Sequence, residues 1–250
     1  MKALILAGGR GKRMEELSET DNKCMLKLHG KRLIEYSLDN VALIDEINEI
    51  VVVVGYRADS IINTFGATYQ SKQVSYVIQK EQRGVVHAME SARDQLDGED
   101  FFLFLADEVI LGGRHREMLH VFDYERHFCL CGVHPQPDLE FIKRTYALIH
   151  GPEKRVYRLV EKPRKPFNPL MGTGNILFRS EIFDYMDVTP VNPSRGEKEL
   201  PDLIQCAIDD GEVIKFFEVC DYYINVNSRE EWDMVESHWP GDAKHSTSQI

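Results

Sequence analysis

Two hydrophobic periods alternate along the first half of the chain. "KALILA" at residues 2–7 is a short apolar run of strand type, and "RLIEYSLDNVAL" follows with Leu33, Ile34, Leu38 and Val41 at helical spacing. "EIVVVVG" is β-branched and apolar on both faces, the pattern of a central parallel strand, and Ala58 to Phe65 offers a short helix after it. "VSYVIQ" predicts a third strand. Gly84 opens an amphipathic helix whose apolar side is Val85, Val86, Met89, Ala92 and Leu96, and "FFLFLADE" is a fourth buried strand that ends in acids. Such alternation predicts an α/β fold with a doubly wound, mostly parallel sheet.

Beyond about residue 127 the signals change to short β segments: "HFCLCGV", "TYALIH", "RVYRLVEKP" and "GNILFRS", with "GPEK" supplying the Pro and polar residues of a hairpin connection. Helical patterns return at Glu199 to Ile208 and Ser228 to Ser237, with "VIKFFEV" and "YYINV" between them, and Ser228 with Glu231 reads as a capping box. The second half is therefore expected as a mixed β extension of the first. A length of 250 residues suits one such domain over residues 1–240, in halves 1–126 and 127–240, with residues 241–250 as a flexible tail.

Charge narrows the partners. With 30 Lys+Arg against 41 Asp+Glu the net charge is −11, which disfavours nucleic acid or an anionic membrane as the main partner. The amino end departs from that average: Lys2, Arg10, Lys12, Arg13, Lys23, Lys27, Lys31 and Arg32 outnumber Glu15, Glu16, Glu19 and Asp21. The 5 cysteines include no C-x-x-C pair, so they read as reduced thiols rather than a disulfide framework or zinc site. Neither a signal peptide nor a membrane span is apparent, and a cytoplasmic protein is expected. His87, His115, His120, His127 and His134 lack metal spacing and read as structural or exposed.

The glycines among the amino-terminal cations point to an anion site. "LILAGGRGKRM", Leu4 to Met14, follows the first strand, where parallel α/β sheets commonly hold phosphates. It is a poor dinucleotide fingerprint, because Met14 stands where G-x-G-x-x-G needs its third glycine and no acid follows about 20 residues later at a strand end. Nor is it a Walker loop, since Arg13 follows Gly11-Lys12 where a hydroxyl should bind magnesium.

A third reading takes in more of the chain. "LILAGGRGKRM…NKCMLKLHGKRLIEYSLDN" resembles the signature of the sugar-nucleotide pyrophosphorylase superfamily of nucleotidyltransferases, with Gly8, Gly9, Gly11, Arg13, Lys23 and Gly30-Lys31 in register. Asn22 and Arg32 replace family prolines, a change expected to loosen the loop without removing charge. "QKEQRGVVHAM" is similar to the base-reading segment. "FLADE" is similar to the strand end that presents the metal-binding aspartate, with Ala106 in place of the usual glycine. "VEKP" matches the sugar-phosphate motif, "GTGNILF" the strand lining the sugar pocket, and "YYINVNSREEW" the place of the second metal ligand.

The resemblance implies a Rossmann-like fold and transfer of a nucleotidyl group from a nucleoside triphosphate to a sugar 1-phosphate, with Mg²⁺ as cofactor. It implies nucleotide contacts from Leu6, Ala7, Gly8, Gly9, Gly11, Arg13, Lys23, Gln79 and Gly84, and acceptor contacts from Glu161, Lys162, Gly174 and Asn175. Arg13, Lys23, Asp107 and Lys162 become the catalytic residues. Asp107 and Asn227 become the metal ligands; Asn225, where many relatives carry an aspartate, is second choice.

Gln79 favours UTP or dTTP, since one amide can pair with both the carbonyl and the N–H of a uracil or thymine ring. Tyr146-Ala147 in place of the common Y-G leaves other acceptors open, among them phosphocholine or a phosphonate used by a cytidylyl- or guanylyltransferase. A non-catalytic relative that binds a nucleotide sugar is the rival of another class, marked by loss of the catalytic charges that this chain retains. A homo-oligomer is compatible with every one of these readings.

Overall fold

In the computed structural model, which describes residues 1–9, 11, 21–237 and 239, the first half forms β1 (Lys2–Ala7), α1 (Leu33–Ala42), β2 (Glu49–Val54), α2 (Ala58–Phe65), β3 (Lys72–Ile78), α3 (Gly84–Ser91) and β4 (Phe101–Leu105). β1 lies between β2 and β4, and all pair in parallel, with β3 parallel beyond β2. Ile50 to Val54 are buried on both faces because helices cover both sides of the sheet. The helix that the periodicity carries to Leu96 breaks at Ala92 and resumes for a single turn, Arg93–Leu96.

The second half adds β5 (Glu108–Leu111), α4 (His115–Glu125), β6 (Cys129–Pro135), β7 (Tyr146–His150), β8 (Val156–Glu161), β9 (Leu170–Phe178), α5 (Leu200–Asp209), β10 (Ile214–Glu218), β11 (Tyr222–Asn225) and α6 (Arg229–Ser237). β9 runs antiparallel to β4, so both halves share one sheet in the order β8-β7-β9-β4-β1-β2-β3, with Thr68–Tyr69 at the edge and β6 joining β9 to β10. The mixed extension expected from the sequence is this antiparallel part. Between Gly172 and Ile176 the register of β9 against β6 shifts, a bulge that re-aims Thr173 and Gly174. Residues 241–250, expected as a flexible tail, lie outside the described residues.

Two elements were not legible in the pattern. The buried strand does not run into the acids: it ends at Leu105, turns at Ala106-Asp107, and restarts as β5, which leaves the main sheet to pair with β11. α4 is masked in sequence by its charged positions, although Met118, Leu119 and Phe122 form a buried stripe. A small separate core of Leu28, Leu33, Tyr36, Val109, Ile224, Val226, Trp232 and Val235 packs β5, β11 and α6 together. That core brings the segment around Asn227 to Asp107, from which it is far in sequence.

Candidate active site

The carboxyl ends of β1, β3 and β4 open into one cleft. Gly8 and Gly9 follow β1, and a Cβ on Gly8 would come within 2.8 Å of Gln79 Oε1, so glycine lets the loop lie against that amide without displacing it. Gln79 is buried, and its Nε2 faces the Gly84 carbonyl at 3.4 Å and His87 Nδ1 at 2.9 Å. A peptide carbonyl can only accept, which places the amide nitrogen on that side and leaves Oε1 toward the glycine loop. Leu6, Gly8, Gly9, Gly11, Lys23, Gln79, Gly84, Asp107 and Asn227 line a pocket of about 320 Å³, together with Gln82 and Cys24. Ala7 is buried, and its carbonyl takes the Asn22 amide at 3.2 Å. Arg13 lies outside the described residues.

Asn22, at the first of the lost prolines, is itself held in place. It is fully buried, its Oδ1 accepts from Cys24 N at 2.9 Å, and its Nδ2 donates to the Ala7 and Tyr56 carbonyls. Arg32, at the other lost proline, donates its N–H to Glu35 Oε2 at 2.6 Å and so starts α1 with a bond that proline cannot make. Burial, followed by the charge of Asp107, pushes the neighbouring Cys24 thiol up to about 12, which leaves it un-ionised at neutral pH.

Lys23, Asp107 and Asn227 meet at the centre. The buried Lys23 Nζ is 2.6 Å from Asp107 Oδ2 and 2.9 Å from Asn227 Oδ1. Asn227 Nδ2 donates to Asn225 Oδ1 at 2.6 Å, so the amide oxygen of Asn227 and not that of Asn225 faces the carboxylate. Two oxygens converging on an ammonium form a donor set suited to a hard cation such as Mg²⁺. Among the described residues no group of 3 or more His, Cys, Asp and Glu could hold a metal, so substrate oxygens and water would have to complete its shell.

A second pocket of about 270 Å³ adjoins the first and shares Gly84, Val85, Leu105, Asp107, Glu197 and Asn227 with it. Its outer wall includes Glu161, Lys162, Gly174, Tyr146, Thr173, Arg195 and Asn225. Lys162 has φ +44, a left-handed backbone uncommon for lysine, held by its N–H to the Thr145 carbonyl at 2.7 Å. Its ammonium lies 3.1 Å from Glu161, whose carboxyl burial raises even against the pull of Lys162.

Arg195, on the arm between Val191–Asn192 and Glu197–Lys198, pairs with Glu161 at 3.3 Å and Glu199 at 2.9 Å. Sequence reading missed it, and a lone arginine between Ser194 and Gly196 carried no periodic signal. Lys23, Lys143, Arg144, Lys162 and Arg195 also line an adjoining cleft of about 680 Å³. The larger cavity of about 800 Å³ on Glu181, Asp184, Asp209, Asp210 and Glu212 has the wrong sign for an anion.

Asn175 is not brought to the cleft. It is buried behind it, donating to Glu108 Oε2 at 2.7 Å and accepting from His115 Nε2 at 2.9 Å. Glu108, also missed, accepts from Gly174 N and Tyr223 Oη as well, and so ties the bulge of β9 to β11. Burial pushes its carboxyl up to about 8, with the charge of Asp107 adding, while the Tyr223, Gly174 and Asn175 donors pull the other way.

A family model described as nucleotidyl transferase matches residues 2–232. The chain belongs to the nucleotidyl transferase family. This nucleotidyl transferase is 28% identical to the UTP–glucose-1-phosphate uridylyltransferase AglF of Haloferax volcanii over 99% of its own length and 100% of that protein's. It is 30% identical to the glucose-1-phosphate thymidylyltransferase of Streptomyces griseus over 89% of its length, but spans only 61% of that relative. Its fold matches a UDP-glucose pyrophosphorylase solved with UDP-glucose at a TM-score of 0.85, with 19% identity, over 98% of each chain. Among the described residues no helix is long and apolar enough to cross a membrane.

Proposed function

We propose that this nucleotidyl transferase moves a nucleoside monophosphate from a pyrimidine nucleoside triphosphate, UTP or dTTP, to a sugar 1-phosphate, releasing pyrophosphate and forming a nucleotide sugar. The observation that carries the reading is that Asp107 and Asn227 border both pockets, the one beside the glycine loop and the one beside Glu161-Lys162. Two relatives named for glucose 1-phosphate make that the first acceptor to try.

In this reaction a phosphate oxygen of the acceptor bonds to the α-phosphorus as the bond to the β-phosphate bridge breaks, and pyrophosphate leaves with the electron pair. The nucleophile needs no general base, since the second pKa of such a phosphate is about 6. The difficulty is charge, because two polyanions must approach. Lys162 and Arg195 hold the acceptor phosphate, while Lys23, with Arg13 from the loop, neutralises the leaving pyrophosphate. Main-chain N–H groups around Gly8, Gly9 and Gly11 approach the triphosphate closely. Asp107 and Asn227 would hold Mg²⁺, which would supply Lewis acidity for the transfer. Gln79 Oε1 accepts from the N–H of a uracil or thymine ring.

The test is Mg²⁺-dependent pyrophosphate release with UTP, dTTP, CTP, GTP and ATP against sugar 1-phosphates and phospho-alcohols. Release with UTP or dTTP and glucose 1-phosphate is expected; CTP with a phospho-alcohol alone, or no release with any pair, overturns the reading. Asp107→Ala and Lys162→Ala should each abolish turnover in a folded protein.

A further inference from the structure

We propose that Lys23 holds the metal's seat: its ammonium bridges Asp107 and Asn227 in the free protein, so the ion enters only when a triphosphate draws the lysine away. This rests on the reading of Asp107 and Asn227 as metal ligands, and adds a rule for when they become available.

The seat is oriented before any ligand arrives. Asn227 Nδ2 is committed to Asn225 Oδ1 at 2.6 Å, and the Asn227 N–H to Glu231 Oε2 at 2.7 Å, so Asn227 Oδ1 faces Asp107 independently of the lysine. Lys23 Nζ lies between the two oxygens at 2.6 and 2.9 Å. An Mg²⁺ ion needs oxygens at about 2.0–2.1 Å. Bridging the same two oxygens would set it close beside the ammonium, and the two cations would repel each other.

The free protein has a reason to keep the lysine there. A buried ammonium with no partner is costly, as is a half-buried carboxylate with no counter-charge, and the pair answers both needs. An alternative seat lies close by, because Lys23 also lines the pocket and the cationic cleft beside the glycine loop. A Cβ on Gly11 would fall 2.8 Å from Lys23 Cβ and 3.2 Å from its Cδ, so the inner stem lies against the loop and the outer end pivots. Phosphate oxygens at the loop offer the ammonium more negative charge than one carboxylate and one amide. Nucleotide and metal then favour each other reciprocally, and the lysine carries the coupling.

The test measures Mn²⁺ binding by electron paramagnetic resonance to the folded wild type, Lys23→Met and Lys23→Gln without nucleotide and to the wild type with UTP, and the binding of UTP, dTTP, CTP, GTP and ATP to the wild type with Mn²⁺. Either Lys23 variant should bind Mn²⁺ at least about 5-fold more tightly than wild type, the lower end of ordinary coupling between sites. Adding Asn227→Ala to the variant should abolish that gain. Unchanged or weaker Mn²⁺ binding in a folded Lys23 variant, in a wild type that binds UTP, overturns the seat-holding role alone. Wild type that binds Mn²⁺ equally tightly with and without UTP overturns it even if neither variant folds. Failure of wild type to bind any of the triphosphates overturns the nucleotidyl-transfer reading as well.

Discussion

Glu231 Oε2 accepts the backbone N–H of Asn227 at 2.7 Å, and its other oxygen takes Arg144 Nη1 at 2.7 Å. The glutamate is buried in the first turn of α6, where the positive helix end favours a carboxylate. The capping box expected there forms in altered register: Ser228 Oγ accepts the Glu231 N–H at 3.2 Å, but the glutamate reaches back to Asn227. Because Arg144 precedes Thr145, whose carbonyl holds Lys162, one carboxylate links the Lys162 side of the cleft to Asn227. Glu231→Gln should lower kcat/KM by about 10- to 100-fold, the range for groups supporting a metal ligand, the role proposed for Asn227. Steady-state kinetics beside thermal unfolding checks it; an unchanged kcat/KM in a folded variant refutes it.

His87 fixes Gln79. His87→Phe leaves Gln79 Nε2 with only the Gly84 carbonyl at 3.4 Å, so the amide is free to turn over. Losing one net hydrogen bond corresponds to about 2- to 10-fold in affinity. The expected result is a KM for the triphosphate raised within that range, with kcat little changed, in initial-rate measurements that vary UTP or dTTP.

Asn22 replaces a family proline at φ −72 and ψ 141, a backbone that proline can adopt. Asn22→Pro should nevertheless destabilise the protein by about 1–3 kcal/mol, because the Cys24 N–H and the Ala7 and Tyr56 carbonyls lose their partner inside the loop. Urea unfolding of the variant against wild type measures this, and equal midpoints refute it.

His115 is buried against Phe102 and Phe104, and burial lowers its pKa to about 4 although the Asn175 hydrogen bond opposes the shift. A depressed histidine pKa means that the unfolded chain binds the extra proton between about 6.5 and 4. Stability therefore falls as pH drops through that window, by at most about 3 kcal/mol from this group. His115→Gln keeps an N–H donor and cannot charge, so its unfolding free energy should fall less steeply than that of wild type between pH 6.5 and 4.

The parallel half of the sheet was legible because β-branched runs such as Ile50 to Val54 and the helical spacing of Leu33, Ile34, Leu38 and Val41 are local signals. β5 was not legible, because a strand break after Leu105 depends on the partner strand β11 from the far end of the chain. Neither was the placing of Asn175, since an asparagine in a strand reads the same whether it faces a cleft or, as here, a buried glutamate and histidine.

The sequence by itself determined the inventory: a glycine loop rich in cations after the first strand, a lysine-containing segment behind it, an acid at a strand end, and the Glu161-Lys162 pair. Their order along the chain was enough to point to a nucleotidyl transferase. The tertiary structure alone decided which groups meet. Pairing of β5 with β11 over a small separate core sets Asn227 beside Asp107, and burial then forces Lys23 to answer both. Convergence of that kind comes from packing between distant segments, which leaves no periodicity in any one of them.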